Sequence, residues 1–187
     1  MWCRIRAAAL VVGLMGMLGL PAVSAAPNPA KLEVRSSSAL VVDVKTGKTL
    51  YQKNATKVRP IASLTKLMTA LVVLDAKQNL NQTITVDKND LDRVKHTHSR
   101  IRMGTKVTRR DALHLALMSS ENRMASALAR HYPGGRSAFV RAMNNKARQL
   151  GMRNTHFYDS TGLSTRNVST AQDLGKLAAA AYRQPLI

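Results

Sequence analysis

The chain has 187 residues and a formal net charge of +19, built from 29 basic and 10 acidic side chains, with one cysteine, one tryptophan, two phenylalanines and four tyrosines. This length suits one domain with a sizeable core and not two. A lone Cys3 excludes an intrachain disulfide, and so few aromatics argue against a base-stacking surface, so no nucleic-acid partner is expected.

The opening MWCRIR carries Arg4 and Arg6, an apolar run from Ala7 to about Leu20 follows, and small residues come next in AVSAAP. This is the layout of a cleavable secretory signal over residues 1–25, cut behind Ala25, and the run is too short for the roughly 20 residues a bilayer crossing needs. The chain is therefore expected to be exported. The exported chain of 162 residues keeps a net charge of +17, a surface that seeks polyanions: cell-wall carboxylates, or an anionic membrane surface.

Residues 26–37 read as an extended lead-in. Two β-rich runs follow, Ala39 to Val44 and Thr49 to Gln52, separated by a cluster with Gly47; this spacing predicts a hairpin whose turn holds Lys45-Thr46-Gly47. In SLTKLMTALVVLDAKQNL the residues Leu64, Leu67, Met68, Leu71, Val72 and Leu74 recur at steps of three and four, which predicts a buried helix from about Ser63. TITV (83–86) and SRIRM (99–103) are expected as short strands or extended loops around a polar insert. Helices are expected over 109–120, over Glu121 to His131 with Pro133-Gly134-Gly135 as its breaker, and over Ser137 to Gly151. The stretch NTHFYDSTGLST is turn-rich, and Ser169 with Gln172 reads as a capping box for a last helix. Met118 and Met124 are expected in the core, and His114, His131 and His156 in packing or capping roles.

Ser63 and Lys66, three apart at a helix start, fall on one face, with the amine beside the hydroxyl. A serine is a weak nucleophile until a base takes its proton, and a lysine whose pKa is lowered by burial can be that base. The helix N-terminus favours the negative charge that develops. S-x-x-K alone is a weak signal, since an N-cap and an exposed lysine spell the same letters. The second element is Ser120 and Asn122 of SSENRM, between two predicted helices. A serine there can pass a proton between Lys66 and a leaving amine, while the carboxamide holds Lys66 and a substrate amide. Ser119 falls outside this register. Asp92, His96 and His98 have no regular spacing for a metal, so no metal or cofactor is expected.

The stretches RPIASLTKLMTALVVLDA, ALMSSENRMASALARHYPGG and LGMRNTHFYDSTGLSTRNVSTAQDL closely resemble the low-molecular-mass penicillin-binding proteins, the D-alanyl-D-alanine peptidases. SSEN and HYPGG resemble most the endopeptidase kind, the penicillin-binding protein 7 type. The resemblance runs from about Ser38 to the last residue. It implies the α/β (α+β) fold of serine β-lactamases and penicillin-binding transpeptidases, with residues 38–187 as a partial peptidase domain: an N-terminal hairpin plus the helical part, without the C-terminal strands of the sheet.

The resemblance further implies a periplasmic enzyme that cuts D-alanyl cross-links in peptidoglycan through an acyl-enzyme and is trapped by β-lactam antibiotics. Carried over position by position, Ser63 becomes the nucleophile, Lys66 its proton acceptor, Ser120 the relay and Asn122 a substrate-amide contact. The family's third motif, K-T-G on a late strand, has no counterpart after Asn122. Lys45-Thr46-Gly47 precedes the nucleophile, where the family has its first hairpin. The expectation is therefore that a protein ending at Ile187 is a poorly folded or inactive fragment. Three alternatives stay open: a D-alanyl-D-alanine carboxypeptidase, a class A β-lactamase-like enzyme, and a non-catalytic basic wall-binding module. The lactamase reading lacks S-D-N and any Glu after Glu121.

Overall fold

The computed structural model describes residues 32–187. The expected leader and the first part of the lead-in lie outside the described residues, and Leu32–Ser37 adds no helix or strand. Among the described residues no helix is long and apolar enough to cross a membrane.

The chain begins with the predicted hairpin, β1 (Ala39–Val42) paired antiparallel with β2 (Thr49–Lys53). Its turn is built by Asp43, whose Oδ1 accepts the backbone N–H groups of Lys45 (2.9 Å) and Thr46 (2.7 Å), while Gly47 at φ +70° supplies the left-handed step. Lys45-Thr46-Gly47 is thus an exposed turn.

A two-residue strand, β3 (Arg59–Pro60), leads through a single 3-10 turn (Ala62–Leu64) into helix α1 (Thr65–Asp75). Of the periodic residues Met68, Leu71 and Val72 are buried and Leu67 and Leu74 half-buried, whereas Leu64 is half exposed beside Ser63. Next come β4 (Thr83–Thr85), a 3-10 turn (Lys88–Asp90), β5 (Lys106–Thr108) and three helices, α2 (Arg109–Met118), α3 (Asn122–Arg130) and α4 (Gly135–Gln149). A last two-residue strand, β6 (Val168–Ser169), precedes α5 (Ala171–Tyr182). Each strand pair forms its own antiparallel ladder: β1 with β2, β3 with β6, β4 with β5.

Of the two alternatives for residues 99–103 the loop holds, and the partner of β4 is Lys106–Thr108, which runs straight into α2. Three readings are corrected. Helix α4 starts at Gly135, inside the expected breaker, because Gly134 at φ +81° turns the chain into it. The last helix is capped one residue later than expected: the Thr170 side chain accepts from Asp173 N–H (3.1 Å), while Ser169 lies in β6 and shares a 2.7 Å hydrogen bond with Thr155. Met118 is 87% exposed at the end of α2, past the last turn that faces the core.

The core lies among the helices. Met68 and Leu71 of α1 meet Leu113 of α2, Met124 and Leu128 of α3, Phe139 and Met143 of α4, and Leu177 of α5, all essentially inaccessible. His131 caps α3, with its Nδ1 2.9 Å from the Ala127 carbonyl.

One buried ion cluster locks the root of the polar insert. The Asp90 carboxylate, fully buried, pairs with Arg130 (2.7 Å) of α3 and Arg136 (2.8 Å) of α4 and accepts from Ser126 Oγ (3.0 Å). A buried carboxylate persists when its charge and lone pairs are met in this way. The cluster ties the turn at 88–90 to the helix that starts at Asn122.

Candidate active site

Ser63 sits in the 3-10 turn that leads into α1, one turn ahead of Lys66. Ala62, just before it, holds φ +45°, a region that costs an L-residue energy and that persists here because its surroundings fix it. Two attachments do so. On one side Ile61 N–H donates to the Asn167 carbonyl (3.1 Å) beside the β3–β6 ladder. On the other, Gly162 (φ +86°) lies so close that a Cβ there would come within 1.9 Å of the Ala62 carbonyl oxygen.

Lys66 is 3% exposed, and its Nζ has three partners: Ser63 Oγ at 3.1 Å, Asn122 Oδ1 at 2.7 Å and the Thr161 carbonyl oxygen at 2.8 Å. Their chemistry differs. A carboxamide oxygen and a backbone carbonyl can only accept, whereas a hydroxyl can also donate. When the amine is neutral, its two N–H bonds serve the two obligate acceptors. The lone pair is left for the Ser63 hydroxyl, which is the alignment a general base requires. Burial lowers the Lys66 pKa from its ordinary value to about 8, against the opposing pull of Asp159 and Glu121.

Sequence reasoning missed the Thr161 carbonyl. It is presented by the loop DSTGLS: Asp159 Oδ1 accepts from Thr161 N–H (2.6 Å), Thr161 Oγ1 (2.8 Å) and Gly162 N–H (2.7 Å), and Oδ2 accepts from Ser164 N–H (2.9 Å). The loop is pinned to the helices by Thr69 Oγ1 to the Ser160 carbonyl (2.7 Å) and Ser160 Oγ to the Ala125 carbonyl (2.9 Å). Asn167, fully buried, donates to Thr65 Oγ1 and to the Asp159 carbonyl (both 3.0 Å). A main-chain acceptor leaves no mark on side-chain spacing. The signal that could have found it is D-x-x-G, an aspartate caging its own turn ahead of a glycine in close contact.

Of the four expected site residues, Ser63, Lys66 and Asn122 come together. Ser120 lies in the link between α2 and α3, exposed and at φ +52°, and among the described residues it makes no hydrogen bond to Ser63 or Lys66. Glu121 caps α3 by accepting from Arg123 N–H (3.0 Å). Among the described residues no group of three or more His, Cys, Asp or Glu is arranged to hold a metal, and the Asp92 carboxylate is filled by donors of its own loop.

The site thus holds a serine at a helix start and a desolvated lysine that bonds both that serine and a distant asparagine. The D-alanyl-D-alanine carboxypeptidase family matches residues 23–187. The chain belongs to this family of peptidases. It is 49% identical over 189 residues to a D-alanyl-D-alanine endopeptidase of Pseudomonas aeruginosa, covering 98% of this chain and 61% of that one. It is 51% identical over 164 residues to an Escherichia coli D-alanyl-D-alanine endopeptidase, covering 88% of this chain and 53% of that one. The crystal structure of a Streptomyces DD-transpeptidase superposes with a TM-score of 0.77 at 35% identity, over 83% of this chain and 64% of that one. The chain thus spans between half and two thirds of the length of these relatives. The mixed helix-and-strand architecture is that of the penicillin-binding peptidases, as the resemblance implied.

Proposed function

We propose that the protein carrying this chain is a serine D-alanyl-D-alanine endopeptidase that opens peptidoglycan cross-links through an acyl-enzyme on Ser63. The observation that carries this reading is the three-way setting of Lys66, two obligate acceptors and one hydroxyl. In the reaction, Ser63 Oγ attacks the carbonyl carbon of the D-alanyl residue while its proton passes to Lys66 Nζ. Collapse of the tetrahedral intermediate breaks the amide bond, and Lys66 Nζ returns that proton to the departing amine, leaving an ester on Ser63. Water then cleaves the ester and releases the D-alanyl carboxylate. Asn122 holds Lys66 with its Oδ1 and offers Nδ2 to the substrate amide. No cofactor enters this scheme.

The β-lactam ring presents the same acyl chemistry, so penicillins should form a stable ester with Ser63. Residues 1–25 act in this reading as a cleavable signal that places the enzyme in the periplasm, where the basic surface suits the carboxylates of the wall peptides. The choice of endopeptidase over carboxypeptidase is supported by the names of the two relatives near 50% identity. Mass analysis of muropeptides from purified sacculi treated with the full-length protein tests it. Cross-linked dimers should disappear as monomers rise, whereas release of terminal D-alanine from monomers with dimers untouched would replace this reading with a carboxypeptidase.

The lowered pKa of Lys66 sets a pH dependence. The base must be neutral to accept the proton, so activity is gained as pH rises through about 8 and falls about tenfold per unit below it. At pH 7 about a tenth of the amine is neutral, against less than about a thousandth for a lysine at its ordinary value. The second-order rate constant for penicillin acylation, measured from pH 6 to 10, should show this limb near 8. A limb near 10 would mean that burial does not tune the amine.

A further inference from the structure

The polar insert after the buried Asp90 cluster turns back to the site at Thr97. Asp92 organises it: Oδ1 accepts from Val94 N–H (2.8 Å) and Lys95 N–H (2.9 Å), and Oδ2 accepts from Thr97 N–H (2.8 Å) and from the Thr97 hydroxyl (2.6 Å). The Thr97 proton is therefore committed to Asp92, and its oxygen is left as an acceptor. That oxygen receives a hydrogen bond from Asn122 Nδ2 at 3.0 Å. Asn122 Oδ1, on the opposite side of the carboxamide, faces Lys66 Nζ at 2.7 Å. The two ends of the amide are chemically opposite, and Lys66 tolerates only the oxygen end while protonated. We propose that Thr97, clamped by Asp92, is a positioning residue for acyl transfer: it fixes which way round the Asn122 carboxamide lies and so keeps Oδ1 on Lys66.

The inference rests on the Ser63 acyl-transfer reading. The direction of each hydrogen bond carries it. A hydroxyl whose proton is taken by a carboxylate presents a defined acceptor, and an acceptor at that point selects the N–H₂ end of the neighbouring amide. The arrangement links the 92–97 segment to the base without any contact of its own with the reacting atoms. Partners that orient a functional side chain in this way typically matter by about 10–100-fold when removed.

The test is the second-order constant for acylation of the full protein by a fluorescent penicillin, for wild type, Thr97→Val, Thr97→Ser, Asp92→Asn and the double variant Asp92→Asn/Thr97→Val. Thr97→Val keeps the shape and removes the acceptor, and should lower the constant about tenfold or more. Thr97→Ser keeps the hydroxyl and should stay within about twofold. Asp92→Asn removes the acceptor that orients that hydroxyl, so it should fall toward Thr97→Val, with the double variant no slower than Thr97→Val alone. Thermal melting checks the fold; should Thr97→Val not melt cooperatively, the contrast of Asp92→Asn with Thr97→Ser decides. Thr97→Val at the wild-type rate, or Thr97→Ser as slow as Thr97→Val, overturns the proposal. Wild type without any Ser63 adduct would overturn the acyl-transfer reading and this inference with it, whereas a labelled wild type with indifferent variants overturns this inference alone.

Discussion

Lys66→Met should abolish all but a residue of Ser63 acylation, a loss of about 10²–10⁴-fold in rate, the usual contribution of a positioned general base. Methionine fills much of the same volume and cannot take a proton. The stability effect has two opposing parts. The Asn122 oxygen and the Thr161 carbonyl lose their donor, which costs about 1–3 kcal/mol each where water cannot replace it. Against that, a desolvated amine is removed from a site where burial already disfavours its charge. The two nearly offset, so the rate collapse should come with a small shift in the urea midpoint. A variant that still acylates within tenfold of wild type would show that another group takes the proton.

Gly162→Ala should be the most damaging glycine-to-alanine change in the described chain. The added Cβ would meet the Ala62 carbonyl oxygen at 1.9 Å and its carbon at 2.4 Å, both backbone atoms that cannot swing aside. It would also force an L-residue to hold φ +86°. Overpacking and backbone strain each cost about 1–3 kcal/mol, giving roughly 2–6 kcal/mol together. Relief requires moving either the turn that carries Ser63 or the loop that offers the Thr161 carbonyl, and both hold the site. Denaturant unfolding should therefore show a large loss of stability, and penicillin labelling should fall with it even in whatever fraction stays folded. Gly47→Ala is the matched control: it has a similar φ of +70° with nothing within 4 Å of the added carbon, and should leave labelling intact.

The contrast between these two residues shows what the sequence exposes and what it conceals. Lys66 was legible in part: three residues after a serine it falls on the same helix face, but S-x-x-K also fits an N-cap with an exposed lysine, and S-x-N together with the resemblance decided between them. Asn122 was legible only jointly with Ser63 and through the resemblance, since 56 residues separate it from Lys66 and no periodicity reaches that far. Gly162 stood in a stretch read simply as turn-rich. Its role depends on Ala62 lying opposite, a tertiary fact that a local pattern cannot encode.

The misplaced boundaries have local causes. Ser169 and Thr170 are both capping residues, and only the pairing of β6 with β3 pulls Ser169 out of the cap. Strand β5 is three residues that abut α2 without a breaker, too short for alternation to register. Met118 fits the apolar repeat of α2 by letter, but the helix ends there and among the described residues nothing packs over it. Thr97 was read only as part of a histidine-flanked insert. Its contact with Asn122 arises because Asp90 anchors the insert to α3 and α4 and Asp92 then folds it back.

The most direct measurement is the site of covalent attachment. Incubating the full protein with benzylpenicillin, digesting it and locating the penicilloyl group by mass spectrometry should place the adduct on Ser63, with none in Ser63→Ala and a rate that climbs as pH rises through about 8. An adduct on any other serine, Ser120 included, or an unchanged yield of adduct in Ser63→Ala, would contradict the assignment of Ser63 as the nucleophile that Lys66 deprotonates.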